Sequence, residues 1–347
     1  MGITTSDPGG ARVATPRSSR RRVGPLPVAL ATLVAAAAVL LGDLMGLDRH
    51  LPFAVFAALR PPLAVLAAAV ALVGLGVAGL RRRRGGRARR LLAASGALLV
   101  VALVAGALLV PRLGADAAPG GGTELTVLET NVYEGAADPD VLGAVIARER
   151  PDLVVLPEAG DAYRARIAAR APGYRSWTTV PPGVADVRGV TVLASPRAGD
   201  VTARALAGPG ARDGTRYPWA ELTGGILGPV RLAAVHLVAP VPQWIADWPG
   251  ELASLQRWCA APGPTIVVGD FNASAEHSPF RTGTAGCDDA ATERGVGLVP
   301  TWRSSWPRAI GTQIDHALLH DGPRASAAHV VDVPGTDHRG LLVRLRL

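Results

Sequence analysis

The sequence predicts an α/β protein, a two-sheet α/β sandwich preceded by an α-helical membrane region of about three spans. Three observations carry that prediction. From Leu125 to Leu347, short aliphatic runs recur with few helical stretches between them, which favours sheets packed on each other over a doubly wound sheet. Within the first 110 residues lie three long runs rich in Ala, Leu and Val. Charge also divides the chain. Residues 1–122 hold 15 of the 36 basic residues but 4 of the 28 acids, and residues 123–347 hold 21 and 24. The high pI therefore belongs to the apolar half, where membrane topology accounts for it. The acidic C-terminal part lacks the net positive charge of a nonspecific nucleic-acid binder.

Residues 1–22 are polar, end in Arg20-Arg21-Arg22, and are expected as a disordered basic tail. The membrane region, 23–110, contains spans at about 26–42, 62–80 and 91–110. Each approaches the length needed to cross a hydrocarbon core of roughly 30 Å. The second is begun after Arg60, because an arginine at a span centre costs about 2.5–3.5 kcal/mol. That leaves Leu51–Leu59 as an interfacial or loop segment. The first span also has the basic flank and apolar core of a signal peptide. Two more spans follow it, however, and no small-x-small site precedes Asp43, so an uncleaved span is expected.

The tail and the Arg81–Arg90 loop are strongly basic, which places both in the cytoplasm. The third span then exits outward. The expected localisation is the cell membrane, multi-pass, with everything after Val110 extracytoplasmic. A Pro/Gly/Ala linker, 111–122, leads to the domain 123–347. Both cysteines, Cys259 and Cys287, fall in that domain. An oxidising compartment permits a disulfide between them, and two buried thiols are the other reading.

In the outer domain, Leu125–Asn131 alternates as a strand. Pro139–Arg150 is an amphipathic helix with Asp138 as its cap. Leu153–Glu158 is a buried strand and Asp161–Arg170 a helix. Val190–Ala194, Val201–Leu206, Trp219–Leu222 and Val230–Val238 are strands. Trp244–Cys259 is mostly helical, and its tryptophans either pack it on the sheet or line a groove. Thr265–Phe271, Ile314–Leu319 and Leu341–Leu347 complete the strands.

Several of these runs end in polar groups: Asn131, Glu158, His236, Asp270 with Asn272, Asp315 with His316, and Asp337 with His338. Singly, Asp270 and Asn272 could form a turn, His236 could be a satisfied core histidine, and Glu158 a surface acid. Together the set has the chemistry of metal-assisted phosphoester hydrolysis. Oxygen-rich ligands suit Mg²⁺ or Mn²⁺, and two histidines can neutralise a phosphate or move protons. No thiolate cluster or HExxH site points to zinc.

In order, Glu129-Thr130-Asn131-Val132, Leu156-Pro157-Glu158, Val235-His236-Leu237, Gly269-Asp270-Phe271-Asn272-Ala273, Ile314-Asp315-His316 and Thr336-Asp337-His338-Arg339 resemble the endonuclease/exonuclease/phosphatase superfamily, from about Glu124 to Leu347. The resemblance implies a four-layer fold and a phosphate-ester substrate. It implies a divalent metal, Mg²⁺ or Mn²⁺, held by Asn131 and Glu158, with Asp337 near it. Asp270 would orient or deprotonate the attacking water. Asn272 and His236 would contact the phosphate, with His316 as a further contact. Asp315 would pair with His338. The chain departs from the family pattern at Thr130, Pro157 and Tyr133, and the last of these weakens an abasic-site nuclease assignment.

The expected function is a membrane-anchored, extracytoplasmic Mg²⁺-dependent phosphoesterase acting on a lipid or small-molecule phosphodiester or phosphomonoester. No obligate protein partner is evident from the sequence. The alternatives are an extracellular nuclease acting on nucleic acid and a degenerate member acting as a binding module.

Overall fold

Pro25 opens the first helix in the computed structural model, which describes residues 23–180, 188–210 and 216–347. The expected basic tail, 1–22, lies outside the described residues. Helix α1 is Pro25–Leu40, α2 is Phe53–Ala58, α3 is Arg60–Arg83 and α4 is Arg89–Ala107. α4 packs against both α1 and α3. By length and composition, α3 and the stretch beginning with α4 could each cross a membrane, while α1 is shorter.

Three expectations for this half need correction. Residues 51–59 form the short helix α2, with Ala54 buried against the outer domain's core. Arg60 begins α3 and is buried, because Asp43 pairs with it and neutralises its charge. The first half of the 111–122 segment is no free linker. Arg112 donates to Glu276 and to the Gly297 carbonyl, and the Asp116 N–H bonds the Glu293 carbonyl at 2.9 Å.

The outer domain runs β1 Glu124–Glu129, α5 Pro139–Glu149, β2 Leu153–Pro157, α6 Asp161–Ala168, β3 Arg175–Thr178, β4 Val190–Ala194, β5 Val201–Gly210, β6 Arg216–Gly224, β7 Arg231–His236, α7 Trp248–Ala253, α8 Gln256–Cys259, β8 Thr265–Asp270, α9 Ser278–Gly283, β9 Asp288–Asp289, α10 Ala290–Glu293, β10 Asp315–His320, β11 Arg324–Asp332 and β12 Arg339–Arg346. Asp138 caps α5 as expected, accepting from the Asp140 and Val141 N–H groups. Trp244–Cys259 is not one helix: α7 starts only at Trp248, with Pro249 in its first turn, and Ser254 and Leu255 separate it from α8. Trp248 and Trp258 are core residues there, with Trp244 packed against the same cluster. The sequence reading missed β3, β9 and β11. β11 is an alanine-rich edge strand with a bulge between Ala325 and Ala327, so it shows no clean alternation.

The strands form two mixed six-stranded sheets, β11-β12-β1-β2-β4-β3 and β5-β6-β7-β8-β10-β9. Their facing sides make the main core, through Leu125, Val127, Val155, Leu232, Ile266, Val268 and Leu345 among others. One outer face is covered by α5 and α6 and the other by α7 and α9. In each sheet a parallel pair lies at the centre, β1 with β2 and β7 with β8. Antiparallel neighbours flank them, β12 on β1 and β10 on β8. The C-terminal ends of the parallel strands and the N-terminal ends of β10 and β12 therefore meet at one edge of the sandwich. Cys259 and Cys287 are joined by a disulfide, linking the end of α8 to the loop before β9.

Candidate active site

Side chains alternate along a strand, so residues two apart share a face. On β1 the inward stripe is Leu125, Val127, Glu129; on β7 it is Leu232, Ala234, His236. On β8 it is Ile266, Val268, Asp270, and on β10 it is Asp315, Ala317, Leu319. Each stripe is apolar inside the core and titratable at its last position on the shared edge. Glu129, His236, Asp270 and Asp315 thus form a polar final layer on an apolar core, all of them buried.

Two further groups come from turns. Glu158 follows β2 in a left-handed conformation, φ 59°, and Asn272 follows β8 with φ 48°. Non-glycine residues seldom adopt this region and do so at functional turns. The chain therefore turns at Asn272. The N–H of Asn272 bonds Asp270 Oδ1 at 2.8 Å, and its amide donates to the Leu237 carbonyl at 2.8 Å. Gly269 is required: a Cβ there would stand 1.9 Å from the Val235 carbonyl oxygen, which is how closely β7 approaches.

Asn131 ties the halves together, its Nδ2 donating to Glu158 Oε1 and Asp270 Oδ2, each at 2.9 Å. Its Oδ1 accepts from the Tyr133 N–H. Thr336 Oγ1 holds the Asn131 carbonyl at 2.8 Å. His338 Nδ1 bonds Asp315 Oδ2 at 2.9 Å. Its Nε2 lies 3.8 Å from both Asp270 Oδ2 and Asp337 Oδ1. Burial alone would lower the His338 pKa, but Asp315 and then Asp270 outweigh it and raise it to about 10. His338 is therefore an imidazolium held by Asp315.

His236 goes the other way. Burial and then the charge of His338 push its pKa down to about 3, so it is neutral. Its Nε2 sits 3.8 Å from Glu158 Oε1 and 3.9 Å from Asp270 Oδ2, and its ring packs edge-on to Tyr217. Burial and Asp315 push the Asp270 carboxyl up to about 7, against the pull of His338. Burial also raises Glu158. Such divergent pairs are typical of acid–base sites.

Glu129 was read from sequence only as part of a motif. Burial and then the Asp315 and Asp270 charges raise its pKa well above the usual range. Two carboxylates would have no donor between them, whereas protonated Glu129 can supply one to Asp315. The available signal was an acid on the apolar stripe of its strand. Two threonines had no comparable signal. Thr301 Oγ1 accepts from the Asp315 N–H, and Thr336 Oγ1 from the His338 N–H.

His316 is not at the site. It is buried the other way, with Nδ1 on Asp289 at 2.7 Å, Nε2 on the Ala273 carbonyl at 3.0 Å and its ring against Phe280. One residue after Asp315 on a strand, it must face the opposite side of the sheet. Trp302 borders the site, its Nε1 donating to Asp337 Oδ2 at 3.2 Å. Arg303 stacks over the Trp302 and Trp306 rings.

Two sets of groups offer ligand atoms all within 4.8 Å of one another: Glu158, His236 and Asp270, and Asp270, Asp315 and His338. Asp337 lies outside both sets, but its Oδ1 is buried with no hydrogen-bond partner. Converging carboxylates, one with an unused buried oxygen, suit a hard divalent cation.

The model of the endonuclease/exonuclease/phosphatase family matches residues 128–338. The chain belongs to this family. Its members' fold recurs in solved structures. The Caenorhabditis elegans TDP2 structure aligns over 99% of both chains at TM-score 0.52 and 14% identity. A humanized D. rerio TDP2 covers 65% of this chain and 100% of its own, at TM-score 0.50 and 18% identity. A Bacteroides vulgatus family member covers 65% and 99%, at TM-score 0.50 and 15% identity. At these identities the likeness is one of fold. No curated protein sequence matches the chain. As a family member with this acidic and histidine cluster, the protein is a metal-dependent phosphoesterase.

Proposed function

We propose that the protein is a membrane-anchored, extracytoplasmic, Mg²⁺-dependent phosphoesterase that hydrolyses a phosphodiester or phosphomonoester presented near the bilayer. The observation that carries the site reading is the convergence of Asp270, His236 and the Asp315–His338 pair on one edge. Glu158 and Asp337 would hold the ion. Asn131 orients Glu158, and its Oδ1 is the oxygen it could add. A bound divalent cation polarises the phosphoryl oxygens and neutralises developing charge.

The residues divide the remaining work. Asp270, fixed by Asn131 and the Asn272 N–H, accepts the proton of the attacking water. His338, kept cationic by Asp315, faces the negative charge that grows on the phosphoryl oxygens. Neutral His236 donates a hydrogen bond from Nε2 to the phosphate. The second amide hydrogen of Asn272, which reaches Asp270 Oδ2 at 3.4 Å, would turn to the phosphate for the same purpose.

A membrane-proximal substrate is favoured by how the domain is held. Trp248 Nε1 bonds the Asn272 carbonyl at 3.1 Å, and its ring lies 4.8 Å from that of His277. His277 Nε2 in turn bonds the Ala54 carbonyl of α2 at 2.9 Å. His277 is five positions after Asn272, so the site lies within about 18 Å of that contact. α2 joins the outer ends of α1 and α3 if the arginine-rich turn between α3 and α4 is cytoplasmic.

The test is hydrolysis by the full chain in detergent with Mg²⁺, across phospholipids, sphingomyelin, phosphoinositides, nucleotides, DNA and RNA. Activity should vanish with EDTA and fall at least about 100-fold in Asp270→Asn and His338→Gln. Hydrolysis that is unchanged in both variants would exclude the reading. A reporter fused after Leu347 that works only in the cytoplasm would exclude the topology.

A further inference from the structure

At the end of the helices away from the catalytic domain, the N-terminus of α1, the C-terminus of α3 and the N-terminus of α4 enclose a cavity of about 1010 Å³. Five arginines line it: Arg81, Arg82, Arg87, Arg89 and Arg90. We propose that this cavity binds a phosphate-bearing anion, either free phosphate or the headgroup of an acidic phospholipid.

The first argument is charge without compensation. The sequence has no Asp or Glu between Asp48 and Asp116. Asp43 and Asp48 lie at the other end of α3, where they bind Arg60, Arg281 and Ser278. α3 has 24 residues, so that end is roughly 36 Å away. Residues 1–22 contain one acid, Asp7, against five arginines, so they add to the excess. None of the five cavity arginines has an ion-pair partner among the described residues. Five guanidinium groups around one concavity repel each other unless an anion enters.

The second argument is backbone geometry. Gly85, in the left-handed region at φ 76°, and Gly86 fold the turn back, with the Gly86 N–H on the Arg81 carbonyl at 2.8 Å. That turn brings Arg81 and Arg82 beside Arg87–Arg90. α4 then starts after Ala88, which has no side chain to cap it. The N–H groups of Arg89, Arg90 and Leu91 have no acceptor one turn back within the helix, and these three residues line the same cavity. Uncapped N–H groups beside forked guanidiniums suit tetrahedral oxyanions. Val23 and Leu91 add an apolar wall, and α3, whose C-terminal arginines line the cavity, carries exposed leucines and valines such as Val77 and Leu80. That suits a headgroup whose acyl chains lie along the helices. The lipid source rests on the membrane placement proposed above, but the phosphate chemistry does not.

The experiment has two arms, each comparing the full chain with Arg82→Gln/Arg87→Gln/Arg90→Gln. In nanodiscs, native mass spectrometry counts retained phosphatidylglycerol against phosphatidylcholine. In detergent, inorganic phosphate is titrated while thermal unfolding is followed. We expect about tenfold preferential retention of phosphatidylglycerol, or a saturable phosphate-dependent rise in melting temperature, with either effect lost in the variant. Retention alone assigns the headgroup, and stabilisation alone assigns free phosphate. The proposal is overturned if wild type shows neither effect or if the variant keeps whichever is seen. Far-UV circular dichroism and hydrolysis at the distant catalytic edge verify that the variant is folded. If the triple variant does not fold, Arg82→Gln alone replaces it in both arms, and an effect unchanged in that variant overturns the proposal. Failure to enter nanodiscs would count against the membrane placement and leaves the detergent arm to decide this site.

Discussion

Glu251 shows what a single buried carboxyl does to this protein. Its Oε2 accepts the Val238 N–H at 2.8 Å, while Oε1 is buried with no partner. Burial pushes its pKa up to about 7. The unfolded chain ionises near 4.5, so between about pH 4.5 and 7 the folded state binds the extra proton. Stability from this group is fully present below the unfolded value and is lost as pH rises through the folded one. Glu251→Gln should therefore flatten the stability curve in that window. At pH 8 it should gain about 1–2 kcal/mol over wild type, read by urea unfolding at several pH values. The catalytic groups are equally sensitive. Asp315→Asn leaves His338 without its principal counter-charge and should cut activity by about 100-fold while the fold survives, as read by hydrolysis and circular dichroism.

Between elements, the contacts that hold the catalytic turn come from far away in the chain. Ser274 N–H donates to His277 Nδ1 at 2.9 Å, so Nε2 carries the proton that the Ala54 carbonyl accepts. Burial lowers the His277 pKa, in keeping with a neutral ring. His277→Ala would strand one buried donor and one buried acceptor at the α2 contact. A loss of about 2–4 kcal/mol is expected, with faster hydrogen exchange across residues 272–281. The disulfide between α8 and the loop before β9 spans a sequence separation of 28 residues. Replacing both cysteines with serine should cost about 3 kcal/mol, measured as a lower melting temperature. Of these elements, the strands with clean aliphatic runs and the capped helix α5 were legible in the sequence. β11, with alanines and a bulge at the edge, was not, because its stability comes from pairing with β12. The helix expected over Trp244–Cys259 is shorter, beginning at Trp248 with Pro249 in its first turn, and is interrupted at Ser254 and Leu255.

Across the whole molecule, the apolar N-terminal region and the phosphoesterase domain are bolted together. Asp43 binds Arg60 and Arg281, Asp48 binds Ser278, Ala54 binds His277, and Arg112 binds Glu276. All of these partners in the domain lie within 276–281, just after the catalytic turn. Residues 123–347 alone would expose Ser278, Arg281 and Glu276 and the buried ring of His277. That fragment should melt below the full chain and hydrolyse substrate more slowly, as read by calorimetry and initial rates.

The order of strand-end acids and histidines, the apolar helices and the arginine asymmetry could all be read from the chain alone. They suffice for the family and the chemistry, because each depends on residue type at short spacing. Which strand-end groups face one another depends on pairing between residues from 23 positions apart, Asp315 with His338, to 139 apart, Asn131 with Asp270. Only the tertiary structure could turn His316 away from the edge, place Glu129 beneath Asp315, and anchor the catalytic turn to α2. A one-residue step on a strand reverses the face of the sheet, and a docking contact leaves no periodicity behind it.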